Sequence, residues 1–381
     1  MNNIIYLDNA SSTKMSDSVL EAMLPYLKES CGNPGSIHSL GREAAMALEQ
    51  ARRAAAACLG CKPRELFFTS GGSESNNWAI KSAARSQAEK GKRHIITSAF
   101  EHHSVLNVVK ELEKDGFSVT YLPVYHNGIV RVSDVEKALR SDTALVTVML
   151  ANNEIGTIQP VEEIGAICRE KGVMLHTDAV GAAGNTAINA ERLNVDLLSL
   201  SAHKLHGPKG VGLLYCRCGA DLPAFIQGGG QESGRRAGTE NVAGAVGLAK
   251  ALEEATEGLA EKQARLTALR DRLTAEIGKI RGAHLNGDLA SRLCNNVSFS
   301  FEGIDGEALV LQLDLCGIAV SSGSACTSGS LEPSHVLLAL GQPYQLAKGS
   351  LRITMSKLTD EREAERLLDV LPRIIERLRS V

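Results

Sequence analysis

The sequence predicts an α/β fold: a largely parallel sheet covered by helices on both faces, followed by a smaller α+β unit. Three observations predict it. Apolar runs of strand length alternate with helical periodicity from about residue 60 to residue 216. Polar and glycine-rich stretches fall just after several of those strands, the edge at which open α/β sheets bind ligands. A charged helical stretch then breaks the alternation, and a shorter run of strands and helices follows it.

In order along the chain, residues 4–7 are a short apolar strand leading into the polar turn segment DNASST. Residues 16–28 have helical periodicity, GNPG at 32–35 forces a loop, and 36–59 is a long Ala/Glu/Arg helix. LFFT at 66–69 reads as a strand that runs into SGGSESNN and a helix to about Lys90. Further strands are expected at 94–98, 118–122, 144–150, 173–177, 196–201 and 211–216, with helices at 105–114, 132–139 and 161–170. Residues 225–244 turn to Gly, Arg and Glu and read as an ordered loop. One long helix, from about 241 to 279, bridges to the second unit. There, strands at 297–301, 318–320 and 350–354 and helices at 306–315, 334–340 and 360–379 complete the pattern. The large domain is therefore set at 1–260, with about 1–15 packing on the small domain, which is 261–381.

At 381 residues and 44% hydrophobic composition, two domains with a sizeable core are affordable in length. A net charge of −3 argues against a nucleic-acid or membrane-surface protein. No apolar run approaches the ~20 residues of a membrane span, and MNNIIYLDNASSTK lacks the basic start of a signal peptide, so a cytoplasmic location is expected. Nine cysteines do not suggest a disulfide framework. Cys58-x-x-Cys61 has no matching pair at zinc-ribbon spacing and Cys216-x-Cys218 has the wrong spacing, so no metal site is expected.

The chemistry centres on SAHKLHGPKG at 201–210. Lys204 leaves the end of one strand, and Gly207 and Pro208 fix the turn before the next, so its aim is set. It is a candidate Schiff-base lysine for pyridoxal phosphate (PLP). The cofactor needs an anion cup, and Ser70-Gly71-Gly72-Ser73 follows a strand and opens a helix. Ser73, Ser201 and His203 are further donors. Asp178 ends a strand, where it would hold the pyridine nitrogen protonated or simply cap the next turn. His102 or His103 would stack on a flat ring, and Asn152-Asn153-Glu154 brings amides to the same rim. Downstream, SSGSACTSGS at 321–330 puts Cys326 in a small-residue loop that reads as flexible, a setting for a nucleophile or carrier. Arg352, on a strand, suits bidentate pairing with a substrate carboxylate.

These residues carry a resemblance. YLDNAS, GNPGS, FTSGGSESNN, EHHSV, NNEIGTIQP, TDA, SAHKLHGPKG, GRRAGTEN and SSGSACTSGSLEPS match, in order and over nearly the whole length, the NifS/IscS-type cysteine desulfurases of the class V aminotransferase branch. The resemblance implies the PLP-dependent transferase fold type I, with a mostly parallel seven-stranded sheet. It implies Lys204 as the lysine that carries PLP, His102 as the ring-stacking residue and Asp178 as partner of the pyridine nitrogen. Asn153 would be a further cofactor ligand, and Gly72, Ser73, Ser201 and His203 the phosphate cup. Thr239 would reach the phosphate of a neighbouring subunit, hence a homodimer. Asn33 and Arg352 would bind substrate, and Cys326 would take the sulfur of L-cysteine as a persulfide.

The implied reaction converts L-cysteine to L-alanine and passes sulfur to an acceptor, such as an iron–sulfur scaffold or a thiolation enzyme. Rivals are a selenocysteine lyase, another class V aminotransferase-type enzyme, and a PLP-impaired sulfur-relay partner. One departure bears on the cofactor: the family usually has a glutamine three residues after the aspartate, and here that residue is Gly181. The chain also ends at Val381 without the C-terminal extension some members have.

Overall fold

The structure is a computed structural model that describes residues 4–323 and 332–380. Its strands are β1 (Ile5–Tyr6), β2 (Leu66–Thr69), β3 (His94–Ser98), β4 (Ser118–Leu122), β5 (Thr143–Thr147), β6 (Met174–Asp178), β7 (Leu197–Ser201), β8 (Gly212–Cys216), β9 (Ala283–Leu285), β10 (Asn296–Phe301), β11 (Ile318–Ala319) and β12 (Ser350–Thr354). Seven of them form one sheet in the order β2-β8-β7-β6-β5-β3-β4. Within it β8 runs antiparallel to both of its neighbours, and the other pairings are parallel. Strands β3, β5, β7 and β8 are buried along their whole length, as expected where helices cover both faces. A sheet of parallel strands delivers its strand ends to one edge, and that edge carries the site.

The apolar residues divide between cores. One gathers the helices Asp17–Lys28, Ser39–Leu59 and Val242–Thr256 against one face of the sheet, and Trp78, Ile80, Val105 and Val109 pack on the other. A separate core collects Leu7, Leu266, Leu273, Val297, Phe301, Leu309, Leu351, Leu367 and Ile375. The small sheet, in the order β12-β10-β9, is antiparallel and belongs to this second core.

The expected single helix over 241–279 is two helices, Val242–Thr256 and Leu259–Ile277. Gly258 takes a left-handed conformation (φ 62), which interrupts the helical backbone where the chain passes from one core to the other. The strand expected at 144–150 stops at Thr147, although Val148 and Leu150 still donate to the His176 and Asp178 carbonyls. Residues 225–244 are mostly loop, tied down by buried Glu232, whose carboxylate accepts from Arg52 at 2.7 and 2.8 Å and from Phe68 N–H at 3.0 Å. Strand β9 and the helix Tyr344–Lys348 were too short to leave a period in the sequence.

The N-terminal segment crosses between the cores. Strand β1 pairs in parallel with β11, and Thr354 N–H donates to Leu7 O at 2.7 Å. Thr13 N–H then donates to His203 O at 2.8 Å, which brings residues 8–13 against the turn that holds Lys204. Among the described residues no helix is long and apolar enough to cross a membrane.

Candidate active site

The ends of β6 and β7 and the starts of two helices wall a cavity of about 170 Å³. Gly72, Ser73, His102, Asn153, Asp178, Ser201, His203 and Lys204 all line it. Each arrives by a local rule. The helix Gly72–Ala88 opens after Gly71, and β8 passes so close that a Cβ on Gly212 would stand 2.6 Å from the Gly71 backbone. A Cβ on Gly72 would lie 2.7 Å from Val180 Cγ2, so only glycine lets the helix start approach there. The free N–H groups of that 17-residue helix favour an anion at Gly72 and Ser73.

At the other side, Asp178 closes β6 and is buried. Its Oδ1 accepts from Val180 N–H at 2.9 Å and its Oδ2 from Asn76 Nδ2 at 2.7 Å. Asn76 also donates to Ser104 Oγ at 2.8 Å, and Ser104 Oγ lies 2.7 Å from His102 Nδ1. Since His102 Nδ1 also accepts from Ser104 N–H as the helix cap, the ring proton sits on Nε2. Burial, ahead of Lys204 and His103, pushes the His102 pKa down, against Asp178, which raises it. The imidazole is therefore neutral, a flat uncharged face. Asn76 and Ser104 lie inside the motifs SGGSESNN and EHHSV, but their linking role became legible only once two helix starts were brought together.

Lys204 ends a 3-10 turn that follows β7. Its Nζ donates to the carbonyl of Ser11 at 2.8 Å and to that of Ala10. Burial, then Lys204 and Lys209, holds the His203 pKa down at about 4, leaving that ring neutral. Arg352 lies in the middle of β12, 1% exposed, and is not a wall of the cavity. Its Nη2 donates to Asp8 Oδ1 at 2.9 Å and to Ser11 Oγ at 2.7 Å, and its Nη1 lies 3.5 Å from Asn153 O. Asn33 and Thr239 are exposed and stand apart from the cavity; Asn33 Oδ1 accepts from its neighbour Gly35. Cys326 lies outside the described residues.

The donor set fits PLP. An anion-favouring helix start, a buried carboxylate, a neutral imidazole and a lysine line one space, and buried Asn76 Oδ1 on its wall has no partner. Gly181 lines the cavity as well, with no positive φ. A Cβ there would lie 3.2 Å from Ala151 O and 3.3 Å from Asn153 Cβ, so a side chain at this position would press on Asn153.

Comparison with known proteins agrees with this geometry. The family model for aminotransferase class-V matches residues 5–367. The cysteine desulfurase IscS of Methanosarcina thermophila is 50% identical over 380 residues, covering 100% of this chain and 94% of that one. The cysteine desulfurase IscS of Dictyoglomus turgidum is 52% identical over 378 residues, covering 99% and 96%. Among solved structures, a NifS-like protein superposes with a TM-score of 0.92 at 42% identity, covering 98% of this chain and 99% of that one. SspA in complex with cysteine superposes with a TM-score of 0.81 at 38% identity, covering 92% and 98%. A lysine just past the end of one strand, a carboxylate at the end of its parallel neighbour and a family match over residues 5–367 place this chain in the class-V aminotransferase family.

Proposed function

We infer that this protein is a PLP-dependent cysteine desulfurase that removes sulfur from L-cysteine, leaves L-alanine and passes the sulfur to an acceptor protein. The observation that carries the reading is the convergence of Lys204, Asp178, His102 and the Gly72 helix start on one cavity. Relatives about half identical over the full length bear that name, which favours sulfur removal over the other chemistries of the family.

Each residue has a task. Gly72, Ser73, Ser201 and His203 hold the cofactor phosphate, the helix start by N–H groups and the others by hydroxyl or imidazole. Asp178 would accept from the ring nitrogen and keep it protonated, while Asn76 holds the carboxylate still at 2.7 Å. His102 would stack on the cofactor's ring. When bound, PLP supplies an electron sink for the pair left at the substrate α-carbon. Lys204 anchors the cofactor and moves the proton at that carbon. Arg352 takes the substrate carboxylate, and Asn153, whose carbonyl lies 3.5 Å from Arg352 Nη1, links that clamp to the cavity. Cys326 Sγ attacks the substrate sulfur: an S–S bond forms, the C–S bond breaks, and its electron pair stays with the carbon that becomes alanine's methyl group. The product on the protein is a persulfide. Asn33, in GNPGS, is a further substrate contact by resemblance. The protein acts as a homodimer, a reading supported by Thr239 standing apart from the cavity of its own chain.

Substitution of Lys204 tests the reading. Lys204→Ala should release no alanine from L-cysteine yet retain PLP through gel filtration, because the phosphate cup and Asp178 remain. Alanine release at the parent rate would overturn it.

A further inference from the structure

The Arg352 guanidinium already holds a carboxylate, and it belongs to the protein. Nη2 carries two N–H groups, and both are engaged, one by Asp8 Oδ1 at 2.9 Å and one by Ser11 Oγ at 2.7 Å. Ser11 Oγ in turn donates to Asp8 Oδ1 at 2.9 Å. Arg352 Nε is buried and has no partner. A guanidinium grips a carboxylate through two parallel N–H groups, and each of its two bidentate edges includes Nη2, paired with Nε or with Nη1. A substrate carboxylate in bidentate contact therefore displaces Asp8 or Ser11. The Nε/Nη2 edge is already half open.

The same segment touches the lysine. Ser11 accepts from Arg352 Nη2 at its hydroxyl oxygen and from Lys204 Nζ at its carbonyl, at 2.8 Å, and the Ala10 carbonyl accepts from the same Nζ. With side-chain exposures of 2% for Arg352 and 19% for Asp8, water screens this pairing weakly.

We propose that Asp8 is an internal competitor for the substrate-carboxylate site, holding Arg352 until a substrate carboxylate takes its place on Nη2 and loosens Ser11 from Arg352. This rests on the reading of Arg352 as the carboxylate clamp. Asp8 and Ser11 are positioning residues, and their effect is on selectivity. A ligand with an α-carboxylate displaces Asp8 and shifts the segment beside Lys204. An amine without a carboxylate leaves the segment in place.

The test is a titration of the PLP-loaded enzyme with L-alanine and with ethylamine, which has the amine but no carboxylate, followed by the cofactor's visible absorption. Asp8→Asn keeps the shape and removes the competing charge. L-Alanine should bind roughly three- to tenfold more tightly, with ethylamine unchanged. Ser11→Ala, which frees one Nη2 N–H and keeps the Asp8 charge while removing a donor from its Oδ1, should shift L-alanine the same way by a smaller factor. It carries the test if the Asp8 variant does not fold. A merely structural segment would give weaker L-alanine binding in both variants, and that result, no change, or an equal change with ethylamine overturns the proposal. Arg352→Gln should erase the preference for L-alanine. If the preference survives that change, the clamp itself is wrong and the inference falls with it.

Discussion

Glu101 is fully buried three residues past the end of β3, one residue before His102. Its Oε1 accepts from Ser98 Oγ at 2.5 Å and from Met149 N–H at 2.9 Å, while Oε2 has no partner. Burial, against those two hydrogen bonds, pushes its pKa from 4.5 up to about 8. The fold thus prefers the protonated acid. Its contribution to stability is complete below about 4.5 and is lost as pH rises through about 8. Glu101→Gln cannot ionise, so relative to the parent it should gain a few kcal/mol of stability between about pH 5 and about pH 9, at about 1.4 kcal/mol per pKa unit. Urea unfolding at the two pH values measures this, and a pH-independent difference would contradict it. In the sequence Glu101 was one letter of EHHSV and nothing marked it as buried. Lys204, Asp178 and His102 were legible as candidates because each stands at or just after the end of a strand. Asp8 and Ser11 were not, because their partner Arg352 stands more than three hundred residues away in the chain.

Among the elements, the wholly buried strands were easy to place because a covered parallel sheet writes continuous apolar runs. Boundaries were lost where one glycine decides, as at Gly258, since a charged helical period does not reveal a left-handed residue. The helix Ser39–Leu59 raises a different matter. It buries Ala44, Leu48, Ala51, Ala55 and Leu59, yet leaves Leu40 and Met46 exposed at 44% and 59%, just after Ile37 at 91%. In the proposed homodimer a second copy of the chain would cover this face, and Thr239 would then reach the neighbour's phosphate site. Met46→Glu should weaken the dimer in sedimentation and lower PLP retention together. A dissociated monomer with full PLP occupancy would contradict the reading.

For the molecule as a whole, the cores on the two faces of the large sheet stand beside the core of the small sheet, and the N-terminal segment ties the two sheets by pairing with β11 and β12 before it reaches Lys204. The fold class was legible because periodicity reports which faces are buried. The inter-core contacts were not, because they join residues from opposite ends of the chain. In the proposed function the substrate's sulfur ends on Cys326. The most direct measurement is the intact mass of the PLP-loaded protein after brief exposure to L-cysteine, with alanine quantified in parallel. One added sulfur atom, mapped to Cys326, absent from Cys326→Ser and removed by a thiol reductant, is the predicted result. Alanine formed by the parent with no sulfur on Cys326, or the same sulfur found on another cysteine in both proteins, would contradict it.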